Sequence, residues 1–180
     1  MRKLLAATSL VIIMLAAPAA LDAQVHLGGQ LSVADDADFG LGARATFGLP
    51  TPTPLEIIAT ADYFFPDGAA GVDINYWEIN ANLVYLFKIS GSIVAPYAGG
   101  GLNFAHASVS TDLSGLGVEL PGELSTSERS DSDVGLNLLG GAKFNVGSIT
   151  PFGELRFELN GGEQVVLSGG VLFRLGPSVP

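Results

Sequence analysis

The sequence contains no cysteine and few charged side chains. Without thiols, the chain can form neither disulfide bonds nor a metal site built on cysteine ligands. Charged residues make up 14% of the 180 residues and apolar residues 48%, whereas a soluble domain carries about 25% charged residues. A chain with so little charge needs a reason to keep apolar groups at its surface, and contact with lipid is one such reason.

Positive charge is especially scarce. The chain has 8 Lys and Arg residues against 18 Asp and Glu residues, which gives a formal net charge of -10. Nucleic-acid binding depends on basic patches that contact phosphates. Nucleic acid is therefore not expected among the partners of this protein.

Long apolar runs are also missing after residue 24, where no stretch approaches the roughly 18 residues of a membrane helix. The N-terminus differs, because Arg2 and Lys3 precede the mostly apolar segment Leu4–Ala17. A positive start, a short apolar run and small residues are typical of a secretory signal peptide. We predict a cleavable signal peptide over residues 1–23.

The cleavage site is predicted after Ala23, and cleavage after Ala19 remains an alternative. The predicted organisation is therefore the signal peptide followed by one β-barrel domain over residues 24–180.

The rest of the chain alternates apolar and polar residues in segments of about ten residues. Trp77 and Ile79, for example, alternate with Glu78 and Asn80. Such segments are typical of strands that cross a membrane as a barrel. The predicted fold class is all-β: an eight-stranded antiparallel up-and-down transmembrane β-barrel. The predicted strands are approximately Val25–Ala34, Asp38–Gly48, Pro54–Phe65, Ile74–Phe87, Ile93–His106, Asp133–Asn145, Ile149–Leu159 and Gln164–Leu175.

The connections between these strands differ in length on the two sides of the membrane. An even number of strands places both ends of the barrel on one side, where the predicted connections are short. The long connection Ala107–Ser132 falls on the opposite side. Short periplasmic turns and longer outer loops are typical of these barrels, so Ala107–Ser132 is predicted to be an extracellular loop.

Every Phe, Tyr and Trp falls inside a predicted strand, and most lie near a strand end. The core of a β-sandwich would gather these rings in the middle of its strands, whereas a barrel in lipid carries them in two belts. We predict an outer girdle of Phe39, Tyr63, Phe65, Trp77, Phe104 and Phe157, and an inner girdle of Phe47, Tyr85, Phe87, Phe144 and Phe173.

The sheet is expected to close into a barrel, because lipid offers no hydrogen-bond partner for an unpaired backbone N–H or C=O at an open sheet edge. About eight strands leave an interior that side chains can fill, so we predict a plugged barrel without an aqueous pore. Buried charges must pair, and Lys143 with Glu154 is the suggested pair. The predicted interior polar network consists of Arg44, Glu56, Glu78, Lys143, Glu154, Arg156, Glu158 and Arg174.

Two segments resemble those of the small OmpA/OmpX-type outer-membrane β-barrel family. Ala95–Asn103 resembles a Pro-Tyr-x-Gly-x-Gly strand, and Ser168–Leu175 is similar to the C-terminal signal read by the barrel assembly machinery. Family members often end on the aromatic residue, whereas this chain continues to Pro180. The resemblance covers about residues 24–175. It implies location in the bacterial outer membrane, contact with outer-membrane lipid and lipopolysaccharide, and insertion by the assembly machinery.

One pair of residues has catalytic potential. His106 and Ser108 share a strand face, and a glutamate of the following loop (Glu119, Glu123 or Glu128) can orient the histidine as in a triad. The pattern is similar to the His-x-Ser of outer-membrane lipid A deacylases, although Val109 and Ser110 replace the Asn-Ala that follows there. A polar strand end that enters a loop is the simpler interpretation. No catalytic, cofactor or metal site is therefore assigned, and no enzymatic activity is expected.

The predicted outer loops are acidic. Clustered carboxylates can bind Ca²⁺ or Mg²⁺ and so bridge lipopolysaccharide phosphates, but the spacing matches no dedicated calcium motif. A solvated acidic rim is the preferred interpretation. The residues concerned are Asp35, Asp36, Asp38, Asp67, Asp73, Asp112, Glu119, Glu123, Glu128, Asp131 and Glu163.

The expected function is a structural, adhesive or surface-interaction role carried by the outer loops, with an extracellular partner that the sequence does not identify. Two alternatives remain open. One is a lipid A-modifying hydrolase, and the other is a narrow transporter of small hydrophobic molecules.

Overall fold

The computed structural model describes residues 25–35, 38–66, 72–112, 126–159 and 163–175, and these form eight antiparallel strands. Each strand pairs with its neighbours in the chain, and β1 also pairs with β8, so the sheet closes into a barrel. The predicted fold class is confirmed. The strands are β1 (Val25–Ala34), β2 (Asp38–Gly48), β3 (Leu55–Phe65), β4 (Val72–Leu86), β5 (Val94–Asp112), β6 (Thr126–Phe144), β7 (Ile149–Leu159) and β8 (Gln164–Leu175).

The alternation in the sequence becomes an alternation of burial along each strand. In β3, Ile58 and Asp62 are buried in the interior, whereas Ile57 and Tyr63 are exposed on the outer face. Successive side chains of a strand point to opposite faces of the sheet. The polar set therefore lines the interior, and most of the apolar set forms the outer surface. None of the described residues forms a helix long and apolar enough to cross a membrane.

The turns at one end of the barrel are short. They join β2 to β3, β4 to β5 and β6 to β7. Gly91 and Gly147 stand in two of these turns at φ 74° and 67°, a region that a residue without Cβ adopts without steric cost. The start of β1 and the end of β8 lie on the same side as these short turns. We expect this to be the periplasmic end of the barrel and use that name for it, and we call the opposite end the outer end. The predicted signal peptide, residues 1–23, lies outside the described residues.

The opposite end differs from the prediction at β5 and β6. These strands were expected to end at His106 and to begin at Asp133, but each contains 19 residues and they pair from Val94 to Asp112. Half of the predicted loop Ala107–Ser132 is therefore paired strand, residues 107–112 with 126–131 and Ser132 with His106, and residues 113–125 lie outside the described part. The added segments are rich in Ser, Thr and Asp, and their few apolar residues, Ala107 and Val109, do not continue the outward apolar face of β5, so the sequence pattern did not reveal them.

A three-stranded extension rises above the rest of the barrel at this outer end. β3 pairs with β4 only as far as Tyr76, and β6 pairs with β7 only from Leu136 onwards. Beyond these points, β4, β5 and β6 remain paired with one another. We define the extension as β4 residues 72–75, β5 residues 107–112 and β6 residues 126–135.

The residues of both predicted girdles point outwards. All are exposed except Trp77 and Phe47, which are half-buried, and Phe87 follows directly after the end of β4. Several rings contact each other: Trp77 and Phe104 have centroids 5.6 Å apart, and Tyr85 and Phe87 are 5.0 Å apart. Their position at the two lipid interfaces stays a prediction.

Candidate functional site

The interior holds the buried polar and charged side chains of the described residues. Arg44 and Arg156 are 0% exposed there, and each is balanced by carboxylates from other strands or from its own. A buried charge is tolerated only when it is paired and hydrogen-bonded. The partners of each charge therefore determine how the interior is held together.

Arg44 joins β2 to β7 across the interior. Its Nη2 donates to Glu154 Oε2 and, at 3.1 Å, to Tyr97 Oη. The Tyr97 hydroxyl in turn donates to Glu154 Oε2 at 2.8 Å, and the guanidinium stacks on Phe152 with Cζ 4.2 Å from the ring centroid. The three polar groups form a closed triangle, which holds the long arginine side chain in one position.

Glycines make room for these inward side chains. A Cβ on Gly141 would lie 2.6 Å from Tyr97 Oη, and a Cβ on Gly42 would lie closer still to Asp62 Oδ1. Both separations are too short for real side-chain contacts. The narrow interior therefore holds Tyr97 and Asp62 only because the facing strands carry no side chain at these two positions.

Arg156 forms the second charged centre, nearer the outer end. Its Nη2 donates to Glu78 Oε2 at 2.9 Å and its Nε to Glu158 Oε1 at 2.7 Å. Gln164 Nε2 donates to both carboxylates, at 2.7 Å to Glu158, and Tyr76 Oη donates to Glu78 Oε1 at 2.6 Å. One cation therefore faces two carboxylates, which also receive neutral donors.

Lys143 forms a third pair near the periplasmic end, and its partner differs from the prediction. Lys143 Nζ contacts Glu56 Oε1, not Glu154. The prediction was wrong because Gly141, not Lys143, lies opposite Glu154 in the β6–β7 register, and Arg44 occupies that carboxylate. Glu56 is the second residue of β3, at the same end of the barrel as Lys143.

Arg174 is the one predicted network member that the structure leaves outside the interior. It faces His26 across the β1–β8 ladder, but its side chain is exposed. Arg174 is the second-last residue of β8, so it stands at the periplasmic mouth, where water reaches the guanidinium.

Neutral polar side chains fill the middle of the interior. Asn137 Nδ2 donates to Asn80 and Asn82 at 2.8 and 2.9 Å, and Asn103 Nδ2 donates to Asn80 at 3.0 Å. Gln30 Nε2 donates to Asp62 Oδ1 at 2.7 Å. The residues in these contacts come from five strands and leave little room along the axis.

Four uncharged side chains that bond directly to the described charged centres were not predicted: Gln30, Tyr76, Tyr97 and Gln164. The alternation of β5 does place Tyr97 on the face of Asn103, so parity was an available signal. Gln164 begins β8 and Tyr76 stands near the rim, where the pattern is weakest.

Apolar clusters flank the polar centre of the interior. Ala34, Phe64 and Val166 are buried together at the outer end. Ile58, Val84 and Leu139 pack with Tyr97 in the periplasmic half. The interior is filled by side chains along its length, which matches the predicted plugged barrel.

The catalytic candidates point away from the interior. His106 packs against Trp77, with ring centroids 5.3 Å apart, and its Nδ1 lies 2.7 Å from Ser132 Oγ. Ser108 instead lies opposite Asn75 and Ser130 in the two ladders. The imidazole Nδ1 is therefore paired with Ser132 and not with Ser108. The suggested third member of the triad, one of Glu119, Glu123 and Glu128, lies outside the described residues or has its side chain outside them, so the triad stays untested.

The acidic rim is present in part. Within the described segments, no group of three or more His, Asp or Glu side chains is arranged to hold a metal ion. Asp35 Oδ1 instead accepts a hydrogen bond from the Val165 N–H at 2.8 Å. Several acidic residues or their side chains lie outside the described part: Asp36, Asp67, Glu119, Glu123 and the side chains of Asp112 and Glu128.

Several solved outer-membrane proteins share this architecture. A major outer membrane protein from Thermus thermophilus is 15% identical with a TM-score of 0.63, over 86% of this chain and 100% of that one. Neisserial surface protein A is 21% identical (TM-score 0.58, 85% and 97% covered), and Ail, the attachment invasion locus protein of Yersinia pestis, is 13% identical (TM-score 0.58, 85% and 97%). At these identities the likeness shows the fold.

The family comparison covers most of the sequence. No protein with a curated function matches the chain. The model of the outer membrane protein beta-barrel domain, however, matches residues 4–162. Together with the closed barrel and its apolar exterior, this match places the protein in the bacterial outer membrane. The chain belongs to the outer membrane protein beta-barrel domain family.

Proposed function

We propose that this barrel has a non-enzymatic structural and surface-interaction role, carried by the three-stranded extension at its outer end. One observation carries the proposal: side chains fill the interior, whereas exposed polar residues cluster on a part of the sheet that rises above the barrel. A molecule built in this way presents a surface and does not conduct a solute.

The filled interior argues against the transporter alternative. Arg44 and Arg156 are fully buried and bridge strands across the barrel axis. Opening a path would require these ion pairs to separate in a site of low dielectric constant, at a cost of several kcal/mol for each ion. Solute passage through the interior is therefore not part of the proposed function.

The extension is longer than membrane crossing requires. A tilted strand needs about 9–11 residues to cross the bilayer, and β5 and β6 contain 19 each. Exposed polar residues continue along the added segments. They include Asp73, Asn75, Arg129, Ser130, Asp131, Ser132 and Asp133. This surface supports contact with water and with soluble partners outside the cell.

The charge of this surface suggests the chemistry of its partner. Ail was also solved in complex with the heparin analogue sucrose octasulfate, a polyanion. Here the chain carries a net charge of -10, and Asp131 and Asp133 are exposed on the extension. Repulsion between like charges disfavours a polyanion, so we propose a cationic partner for this protein.

The same proposal includes the biogenesis and surroundings of the barrel. Residues 1–23 would direct export and be removed, and the barrel assembly machinery would insert the mature chain. Outer-membrane lipid would surround the apolar belt. Lipopolysaccharide would lie beside the acidic rim, with divalent cations between its phosphates and the carboxylates.

The proposed orientation is tested by cysteine labelling, because the natural chain has no cysteine. Ser130→Cys places one thiol on the extension, and Ser148→Cys places one in the turn after β6; both serines are exposed. A membrane-impermeant maleimide added to intact cells should label Ser130→Cys and leave Ser148→Cys unlabelled. Both variants should react after lysis. Labelling of Ser148→Cys alone in intact cells would contradict the proposal.

The proposed role is tested by removing the extension. In one variant, a two-residue turn replaces residues 108–130, so that β5 and β6 join just above the rim. Cells that display the natural chain should adhere to a polylysine-coated surface more strongly than cells that display equal amounts of the shortened barrel. Equal adhesion would contradict a surface role for the extension. Steady conductance of the purified natural chain in a planar bilayer would instead favour transport.

A further inference from the structure

The two hydrogen-bonded ladders that meet at β6 have different lengths. β6 pairs with β5 from Thr126 to Phe144, whereas its pairing with β7 covers only Leu136 to Lys143. Over residues 126–135, no described residue pairs with the side of β6 that faces away from β5. This open edge is longer than a typical strand of about five or six residues, so it can accept a whole additional strand.

Hydrogen bonds at the other end of the β5–β6 ladder show which backbone groups point to this open edge. The Asn145 N–H donates to the Ile93 C=O at 2.8 Å, and the register continues from that pair without a bulge. In an antiparallel ladder, alternate residues direct both backbone polar groups to the same neighbour. Odd-numbered residues of β6 therefore face β5, and even-numbered residues, including Ser130, Ser132 and Val134, face the open edge.

Ser132 provides independent evidence for this orientation. Its backbone N–H donates to Asp131 Oδ1 at 3.0 Å, a contact that a ladder hydrogen bond to β5 would exclude. The carboxylate is a local substitute for a missing strand. Ser130, Ser132 and Val134 are all exposed, so an incoming strand would find these backbone groups within reach.

The charges beside the open edge determine which strand fits it. Asp131 and Asp133 are exposed there, and Arg129 is the one exposed cation among the residues of the extension whose side chains are described. A second copy of the chain would bring its own acidic edge, and like charges directly opposite each other destabilise a strand pair. A strand with Lys or Arg at alternate positions would instead form opposite-charge pairs with the aspartates.

We infer that the open edge of β6 binds an extended basic segment of another polypeptide by adding it to the sheet as a strand. Main-chain hydrogen bonds to even-numbered residues supply affinity, and the aspartates select basic side chains. The inference rests on the proposed function, because the edge is accessible to such a segment only where the extension stands outside the membrane.

The test uses the full-length protein in phospholipid nanodiscs and two synthetic peptides of about ten residues, a length that spans the edge. One peptide alternates Lys and Val. Its twin has the same side chains, but alternate backbone amides of the peptide are N-methylated. The twin therefore lacks the N–H donors that would pair with β6. Fluorescence anisotropy should show that the unmodified peptide binds at least about tenfold more tightly than the twin. Charge alone predicts equal binding, because both peptides carry the same lysines.

A pair of protein variants locates the binding site. Ser130→Pro removes an N–H that faces the open edge and keeps the donors that face β5. A strand tolerates proline at such a position, because its N–H is not part of a ladder. It should weaken the binding of the unmodified peptide at least about tenfold. Ser130→Ala, which keeps the backbone donor, should bind like the natural chain. Loss of affinity in both variants would overturn the assignment to main-chain pairing.

Three further results would overturn the inference: equal affinity of the two peptides, no binding at about millimolar peptide, or a disulfide-linked dimer of Ser130→Cys as the main species in nanodiscs. The last result would identify a second copy as the occupant. Maleimide labelling of Ser130→Cys in intact cells distinguishes failure of the proposed surface role from failure of the strand-addition inference. If the site is labelled but the peptides bind equally, the surface role stands and strand addition fails.

Discussion

Arg156 Nη2 lies 2.9 Å from Glu78 Oε2, and this ion pair joins two fully buried side chains that are 78 positions apart in the sequence. The same guanidinium reaches Glu158 through its Nε. One side chain on β7 therefore holds β4 across the interior, which gives the outer half of the barrel a link that the strand ladders do not provide.

Removal of the Arg156 guanidinium should lower the free energy of unfolding more than removal of either carboxylate. Arg156→Met leaves Glu78 and Glu158 buried without their common cation, and breaking a buried pair from one side costs about 3–5 kcal/mol. We expect a decrease of that size in the free energy of unfolding, measured by urea titration of the folded protein in detergent micelles.

Glu158→Gln is the matched control for Arg156→Met. It removes one of two carboxylates around a single cation and keeps an oxygen that can accept from Arg156 and Gln164. Its decrease in unfolding free energy should stay below about 1.5 kcal/mol, the usual net contribution of one hydrogen bond. Equal losses for the two variants would show that the guanidinium does not organise this centre.

The sequence predicted which residues face the interior but not which of them pair. Parity along a strand is set by the backbone, so Arg44, Glu78 and Arg156 could be assigned inwards from alternation alone. The pairing depends on how far each strand is displaced along its neighbour, which no single strand reveals. For that reason Lys143 was assigned to Glu154 on the adjacent strand and not to Glu56, which reaches it from β3 across the interior.

The strand ends near water were the least predictable parts of the fold. The segments after His106 and before Asp133 are rich in Ser, Thr and Asp, which is typical of loops. In the structure they pair with each other in regular register, because two neighbouring strands already stand side by side at the rim. Arg174 was wrongly assigned to the interior network for a related reason. Parity shows which face of the sheet a side chain lies on, but it does not show where the strand leaves the buried interior.

The corrected partner of Lys143 can be tested by exchanging charges. Lys143→Glu alone places two carboxylates together with Glu56 and should destabilise the barrel by several kcal/mol. The double variant Lys143→Glu with Glu56→Lys should recover at least half of that loss in urea unfolding. Lys143→Glu combined with Glu154→Lys should recover nothing, because Glu154 contacts Arg44. Recovery in this second combination would restore the original assignment.

Two glycines on adjacent strands test how tightly the interior is packed. An added Cβ at Gly141 would lie 2.6 Å from Tyr97 Oη and closer still to the Gly153 carbonyl oxygen, whereas one at Gly153 would meet nothing within 4 Å. Gly141→Ala should lower the free energy of unfolding by about 1–3 kcal/mol through overpacking. Gly153→Ala should be neutral or slightly stabilising. Similar values for both variants would show that the interior relaxes around an extra methyl group.

The lipid belt is tested by the depth dependence of one charged substitution. Leu102 is exposed on the outer face of β5 and lies opposite Ala81, midway along β4 between Trp77 and Tyr85. In a bilayer, Leu102→Arg should lower the free energy of unfolding by about 2–4 kcal/mol, the cost of arginine near the midplane. Ser110→Arg on the same strand stands in the extension opposite Asp73, where the change should stay within about 0.5 kcal/mol because water solvates the guanidinium. Urea unfolding in lipid vesicles measures both variants. Equal decreases in the free energy of unfolding would mean either that Leu102 does not face lipid or that the extension lies in the membrane.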